Sequence, residues 1–171
     1  MGNIKISDKF EFRTIKFEEA VEAAVVESIC FPPNEACSEK NMIARVKAAG
    51  DFFLVAINKE TGKIAGFLNG IASDEQVLRD DFFTDANNHN PNGENVMIAG
   101  LAVLPEFRGT GLARTLVEHY RERETRRGRK RLVLTCLDEK VGMYQHFGFR
   151  DLGESESVWG GEKWHEMDMV L

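Results

Sequence analysis

Arg108-Gly109-Thr110-Gly111-Leu112-Ala113 is the most informative segment of the chain, because it stands between an apolar run, 96–104, and an amphipathic segment beginning near Gly111. This pattern predicts a strand, a turn of small residues and a helix N-terminus in that order. Backbone N–H groups at the start of a helix have no partners within the helix and lie at the positive end of its dipole. The segment therefore predicts a binding site for a phosphate or pyrophosphate.

Two better-known phosphate loops do not fit this segment. A Walker loop requires Lys followed by Ser or Thr after its last glycine, where this chain has Leu112-Ala113. A dinucleotide-binding fingerprint requires three glycines, and only Gly109 and Gly111 are present. The predicted phosphate site is therefore of another type.

Length and composition are those of one globular domain, 1–171. The chain is 43% hydrophobic and 29% charged, and its net charge of -6 gives no general attraction to nucleic acid or anionic membranes. Its three cysteines form no Cys-x-x-Cys pair, and its N-terminus lacks the apolar core of a signal peptide. We expect a cytoplasmic protein without a metal, nucleic acid or membrane partner.

Hydrophobic periodicity predicts seven strands and four helices, with Ser38 as the N-cap of one helix and Gly50 as its end. Helical turns at 75–83 and a loop at 84–95 interrupt the pattern. The order of elements predicts a mixed sheet covered by helices on both faces. The predicted strands are 10–15, 52–57, 63–71, 96–104, 131–137, 149–159 and 163–171, and the predicted helices are 18–30, 39–49, 111–127 and 139–147.

The segment Arg108-x-x-Gly111-x-Ala113, after Leu101-Ala102-Val103, resembles the acyl-coenzyme A binding motif of the GNAT superfamily of N-acetyltransferases. Within that superfamily the chain is most similar to the arylalkylamine (serotonin) N-acetyltransferase branch and its bacterial relatives. The resemblance implies an α/β (α+β) fold with a mostly antiparallel sheet of about six or seven strands. It is carried further by Leu132-Val133-Leu134-Thr135-Cys136, Tyr144-Gln145-His146-Phe147-Gly148-Phe149, Phe31-Pro32-Pro33-Asn34-Glu35-Ala36-Cys37-Ser38, and Gly160-Gly161 followed by Trp164.

The resemblance implies an enzyme that moves an acetyl group from acetyl-CoA directly to a primary amine of a small molecule, of arylalkylamine or polyamine type. The main chain of Leu101 and Val103 would pair with the pantetheine arm, and the N–H groups from Gly109 to Ala113 would bind the pyrophosphate. Residues expected at the cosubstrate are Leu101, Ala102, Val103, Arg108, Gly109, Thr110, Gly111, Leu112, Ala113, Arg114 and Tyr144.

Tyr144 is the expected general acid, in the role that the matching tyrosine has in the family. Its phenol, with an ordinary pKa of about 10, stays protonated at neutral pH and can protonate a thiolate whose pKa is about 8.5. A purely structural role, packing beside Phe147 and Phe149, is the alternative. Cys136 could act as a nucleophile, but a cysteine late in an apolar strand, with no adjoining His or Lys, is expected to be inert.

The general base is left open by the sequence. Two histidines serve as base in the vertebrate branch, and Met97 and Ala99 stand at the matching positions here. Neither side chain can carry a proton. The substitutes are water, or one of Glu35, Asp74, Glu162 and His165.

The amine pocket is expected to be aromatic and acidic, which suits an ammonium group. By resemblance it is lined by Phe31, Trp159 and Trp164. The acids expected at the substrate are Glu35 and Glu162, and Glu162 stands where that branch has an aliphatic residue. The alternatives are a peptide or protein N-acetyltransferase, which needs an open groove where we expect a pocket enclosed by the loop 84–95, and a non-catalytic acyl-CoA-binding module. The oligomeric state is expected to be monomer or homodimer.

Overall fold

A seven-stranded sheet in the order β1-β2-β3-β4-β5-β7-β6 forms the centre of the computed structural model, which describes residues 5–171. All neighbouring strands are antiparallel except β4 and β5, which are parallel. The strands are β1 (Phe10–Thr14), β2 (Phe53–Asn58), β3 (Ile64–Ser73), β4 (Asn95–Val103), β5 (Arg131–Leu137), β6 (Arg150–Glu154) and β7 (Trp164–Val170). The helices are α1 (Ile6–Lys9), α2 (Ala20–Cys30), α3 (Glu39–Ala49), α4 (Leu112–Arg126) and α5 (Val141–His146).

Helices cover both faces of the sheet, which confirms the predicted fold class. On one face, α2 and α3 bury side chains such as Ala23 and Met42 against Phe53 and Phe67. On the other face, α4 buries Leu116 and other side chains against a second apolar cluster. Within residues 5–171, no helix combines the length and the apolar character needed to cross a lipid bilayer.

Three segments differ from the predicted elements. The helical turns expected at 75–83 are reduced to a 3-10 turn at Asp80–Phe82. The last helix begins as a 3-10 turn at Asp138–Lys140 before α5. The strand expected at 149–159 ends at Glu154, because Gly153 has a φ of 97° and the register of β6 with β7 shifts between Asp151 and Glu154.

Two irregularities in β4 open the sheet. A bulge interrupts its pairing with β3, since Asn69 pairs with Gly100 and Gly70 pairs with Ile98, which leaves Ala99 as the extra residue. On its other side, β4 pairs with β5 only from Asn95 to Met97. Beyond Met97 the two parallel strands separate, and the candidate site lies along the gap between them.

Asp168, on β7, joins three strands and is 1% exposed. Its carboxylate accepts hydrogen bonds from Arg150 on β6, at 2.8 Å, and from Arg131 on β5, at 2.9 Å. These bonds hold the pKa of Asp168 below its ordinary value, and the bond from Arg150 has the largest effect.

We expect Asp168→Asn to lower the free energy of unfolding by about 3 kcal/mol at neutral pH, because two cations lose a buried anionic partner. A depressed folded-state pKa means that this contribution is present above the unfolded pKa, about 3.9, and is lost as the pH falls through the lower folded value. Urea unfolding at several pH values measures the difference. A deficit that does not shrink in acid would contradict this account.

Candidate active site

The backbone of Leu101 and Val103 faces the gap between β4 and β5. The amide of Leu104 donates to Ala65 on β3 at 2.9 Å, so Leu104 is directed toward that strand. Alternate residues of a strand direct their backbone groups to opposite sides, so Val103 and Leu101 are directed toward the gap. An extended ligand can therefore add to β4 there as a strand would.

The carbonyl oxygen of Val103 is already occupied. It accepts hydrogen bonds from Arg108 Nε at 3.1 Å and from the thiol of Cys30 at 3.4 Å. A carbonyl oxygen has two lone pairs, so both are used. Val103 therefore offers a ligand its N–H group, while Leu101 can offer both its N–H and its carbonyl.

The turn before α4 has the geometry of an anion site. Gly109 and Gly111 have φ values of 76° and 87°, in the left-handed region that favours glycine. Gly111 is the N-cap of α4 and has no side chain to cap it, so no side chain occupies the place in front of the first amides of the helix. Arg114 and Lys140 line the same cavity and add positive charge.

One cavity of about 700 Å³ extends along the gap and brings the predicted residues together. Every residue expected at the cosubstrate lines it except Thr110, whose hydroxyl donates to the Phe107 carbonyl at 2.6 Å. The cavity is also lined by four of the five residues expected at the amine: Phe31, Glu35, Trp159 and Trp164. Glu162, the fifth, is exposed and does not line it.

Tyr144 lies on α5 with its ring packed edge-on against Phe147 and Phe149, at centroid distances of 6.1 and 5.7 Å. Its side chain lines the cavity, and among residues 5–171 its hydroxyl has no hydrogen-bond partner. The apolar surroundings raise the pKa of Tyr144, and nearby Cys136 adds to the rise. The phenol is thus protonated at neutral pH and free to donate into the cavity.

Cys136, on β5, is buried, and its sulfur lies 3.4 Å from the sulfur of Met167. Burial first, then the charges of Asp151 and Asp138, raises the pKa of the Cys136 thiol to about 12. A thiol with so high a pKa is a poor nucleophile at neutral pH.

We accordingly expect Cys136→Ala to keep turnover within about twofold of the wild type, because the thiolate is scarcely populated. The small space left behind lowers the free energy of unfolding by about 1 kcal/mol. Steady-state kinetics beside thermal unfolding check both numbers. Loss of turnover in a folded variant would restore a covalent role for Cys136.

Two loops form the wall on the amine side. The indole N–H of Trp159 donates to the Glu35 carbonyl at 3.0 Å, and the side-chain amide of Asn34 donates to the Gly160 carbonyl at 3.0 Å. Trp159 also packs on Phe83, with ring centroids 5.1 Å apart. These contacts tie the segments 31–37 and 157–162 together at the cavity.

The expectation that the loop 84–95 encloses the pocket is wrong. Among the described residues that line the cavity, none belongs to this loop. It packs instead near the end of α3, where the ring of His89 lies 4.9 Å from that of Phe52 and the amide of Asn90 donates to Ala72. Loop length alone did not indicate which surface the segment covers.

The four side chains offered as bases lie in different places. Glu35 lines the cavity. Its pKa is raised mainly by burial and further by repulsion from Glu162 and Glu139. Asp74 is exposed and accepts a bond from the Glu94 amide. His165 lies between Asp138, at 3.0 Å, and Asp151, at 3.2 Å, and like Asp74 and Glu162 it is not part of the cavity wall.

A buried polar group beside the cavity was not found from the sequence, although Glu27 and Arg45 line the cavity wall. It consists of Glu27 on α2, Arg45 on α3 and Asn69 on β3, which are 5%, 3% and 0% exposed. The sequence carried a signal, because Glu27 follows Ala20, Ala23 and Ala24 at helical spacing on the buried face. A carboxylate in an apolar helix stripe is unusual and marks a candidate functional residue.

A sheet opened between two parallel strands, with a glycine turn and an uncapped helix N-terminus at the opening, offers a site for a phosphorylated ligand. The Acetyltransferase (GNAT) family matches residues 20–149, and the chain belongs to this family. This family match makes the protein an acyl-CoA-dependent acyltransferase.

Solved structures agree with the fold. The loading GNATL domain of CurA from Lyngbya majuscula is similar over 94% of this chain and 97% of its own, with a TM-score of 0.79 and 13% identity. The GphF GNAT-like decarboxylase in complex with isobutyryl-CoA is similar over 94% of this chain and 98% of its own, with a TM-score of 0.78 and 18% identity. The ribosomal-protein-S18-alanine N-acetyltransferase from Escherichia coli is similar over 94% of this chain and 93% of its own, with a TM-score of 0.68 and 18% identity.

Proposed function

We propose that the protein transfers an acetyl group from acetyl-CoA to a primary amine of a small molecule, of arylalkylamine or polyamine type. The observation that carries the proposal is the single cavity that is lined by the Gly109 and Gly111 turn, the free hydroxyl of Tyr144 and the wall of Phe31, Glu35 and Trp159. Donor, acid and acceptor sites would thus share one cavity, as direct transfer requires.

The residues at the cosubstrate have distinct tasks. Amides at the start of α4 hold the pyrophosphate, and the backbone of Leu101 aligns the pantetheine arm along β4. When bound, acetyl-CoA supplies the acetyl group as a thioester. A C–N bond forms and the C–S bond breaks, so that an ammonium ion and a thioester give an amide, a thiol and one proton. Tyr144 gives its phenolic proton to the departing sulfur and recovers one from the reacting nitrogen through solvent.

A small acceptor is favoured over a polypeptide by the wall between the two loops. The bonds from Trp159 to Glu35 and from Asn34 to Gly160 join the two loops beside the aromatic residues of the cavity, which favours a bounded pocket over an open groove. Aromatic rings and the Glu35 carboxylate suit a cationic amine. The resemblance to the arylalkylamine branch supports the same class of acceptor.

Release of free CoA thiol, followed with acetyl-CoA and separate acceptors, tests the proposal. The acceptors are an arylalkylamine, a polyamine and short peptides with free N-termini. We expect thiol release with one of the two small amines and none with the peptides. Turnover confined to peptides would establish the protein acceptor instead, and CoA binding without turnover on any acceptor would indicate an acyl-CoA-binding module.

A further inference from the structure

Glu27 has one oxygen in use and one without a partner. Its Oε2 accepts a hydrogen bond from the Cys37 amide at 3.1 Å. Its Oε1 is buried and has no hydrogen-bond partner among residues 5–171. A buried acceptor left unpaired carries a desolvation cost, so its retention needs a reason.

The free oxygen lies against β4 at the bulge. A Cβ atom built on Gly100 would stand 3.5 Å from Glu27 Oε1 and 3.6 Å from Asn69 Nδ2, which is also buried and without a partner. An unused acceptor and an unused donor thus face one point at Gly100 on β4. Glycine at position 100 leaves that point open to the cavity, which both Glu27 and Gly100 line.

Arg45 does not neutralise Glu27 through a direct bond. Its guanidinium donates to the Asn69 side-chain oxygen at 3.2 Å and to the Phe83 carbonyl at 2.8 Å. Asn69 is thereby oriented with its NH₂ group toward the open point. The Glu27 oxygen is left for a donor that arrives with a ligand.

We propose that Glu27 binds the ammonium group of the acceptor and takes its proton, which makes Glu27 the general base of the transfer reaction. This role rests on the proposed function. One N–H bond of the ammonium breaks and one O–H bond forms on Glu27, so that a neutral amine and a carboxylic acid result. The amine lone pair then attacks the thioester, and the carboxylic acid later returns its proton to solvent.

The surroundings of Glu27 suit this task. Burial raises its pKa, against the opposing effects of the Cys37 amide and of Arg45, and a raised pKa brings a carboxylate closer to neutral pH as a base. The titratable groups facing it are Arg45 from α3, Cys37 from the segment after α2, and Cys30 on α2 itself. Burial raises the pKa of both thiols, so Arg45 is the charged neighbour; β3 and β4 contribute Asn69 and Gly100, which do not titrate.

Glu27→Gln tests the role, because it keeps size and polarity but cannot accept the proton. We expect turnover at saturating acetyl-CoA and amine to fall about tenfold or more at neutral pH, with CoA affinity unchanged. The loss of turnover should shrink as the pH approaches the pKa of the amine, because neutral amine is then present in solution. Glu22→Gln is the matched control: the same change on the same helix, where Glu22 also accepts a backbone amide, that of Ile64, at 3.3 Å.

Glu27→Gln with wild-type turnover, or with a deficit equal at every pH, would overturn the role of Glu27 while leaving the acetyltransferase proposal standing. A wild type that releases no thiol with any acceptor would overturn both. Should Glu27→Gln fail to fold, the wild type alone decides, through the acidic limb of kcat with two amines of different pKa. A limb at the same pH for both amines supports an enzyme carboxylate, and a limb that follows the amine contradicts it.

Discussion

Gly111→Val is expected to abolish measurable binding of CoA while leaving the domain folded. The φ of 87° at Gly111 lies in a region that a β-branched residue rarely adopts. A Cβ atom there would also stand 3.4 Å from the side chain of Ile6. The turn must therefore rearrange, and the amides at the start of α4 lose the alignment that an anion requires. Titration calorimetry with CoA and with acetyl-CoA measures the loss.

Gly128→Val provides the control for that experiment. Gly128 follows α4 at its other end, has a φ of 81°, and has no atom within 4 Å of a Cβ built on it. The valine there suffers similar backbone strain, so both variants should lose about 1–3 kcal/mol of stability. Only Gly111→Val should lose the ligand. Equal CoA affinity in the two variants would show that the turn before α4 is not where the pyrophosphate binds.

Tyr144→Phe is expected to reduce kcat by about a hundredfold, the usual contribution of a positioned proton donor. The substitution removes one hydroxyl and keeps the ring contacts with Phe147 and Phe149, so CoA affinity and stability should change little. Steady-state turnover with the best amine, together with CoA titration, measures both effects. A structural role would give the opposite result, with turnover preserved.

Tyr120→Phe makes the same chemical change away from the cavity. Tyr120 is fully buried on α4, and its hydroxyl donates to the Phe52 carbonyl at 2.9 Å. Its loss should cost about 1 kcal/mol of stability without affecting turnover. If Tyr144→Phe proved no slower than Tyr120→Phe, the proton for the leaving thiolate would have to come from another donor, and solvent is the first to test.

Local patterns predicted the architecture well. The bounds of α3 agree with those predicted, because the Ser38 side chain accepts the Asn41 amide and so fixes the start of the helix. The glycine turn at 109–111 lies where the apolar run ends, as the sequence indicated. Signals of this kind act over a few residues, so one sequence is enough to show them.

The remaining errors concern contacts between distant segments. Glu27, Arg45 and Asn69 come from two helices and a strand, and only the packing of α2 and α3 on the sheet brings them to Gly100. The placement of the loop 84–95 depends on the bond from Asn90 to Ala72, which no local pattern specifies. Composition predicted a loop and could not show its direction.

Only three residue pairs, from Asn95 with Arg131 to Met97 with Val133, join β4 to β5. The sheet therefore consists of a four-stranded half and a three-stranded half that meet along a short seam. Under the proposed function, a ligand that pairs with β4 in the gap would supply hydrogen bonds that β4 and β5 do not make to each other there. We therefore expect acetyl-CoA binding to stabilise the sheet along this seam as well as to position the thioester.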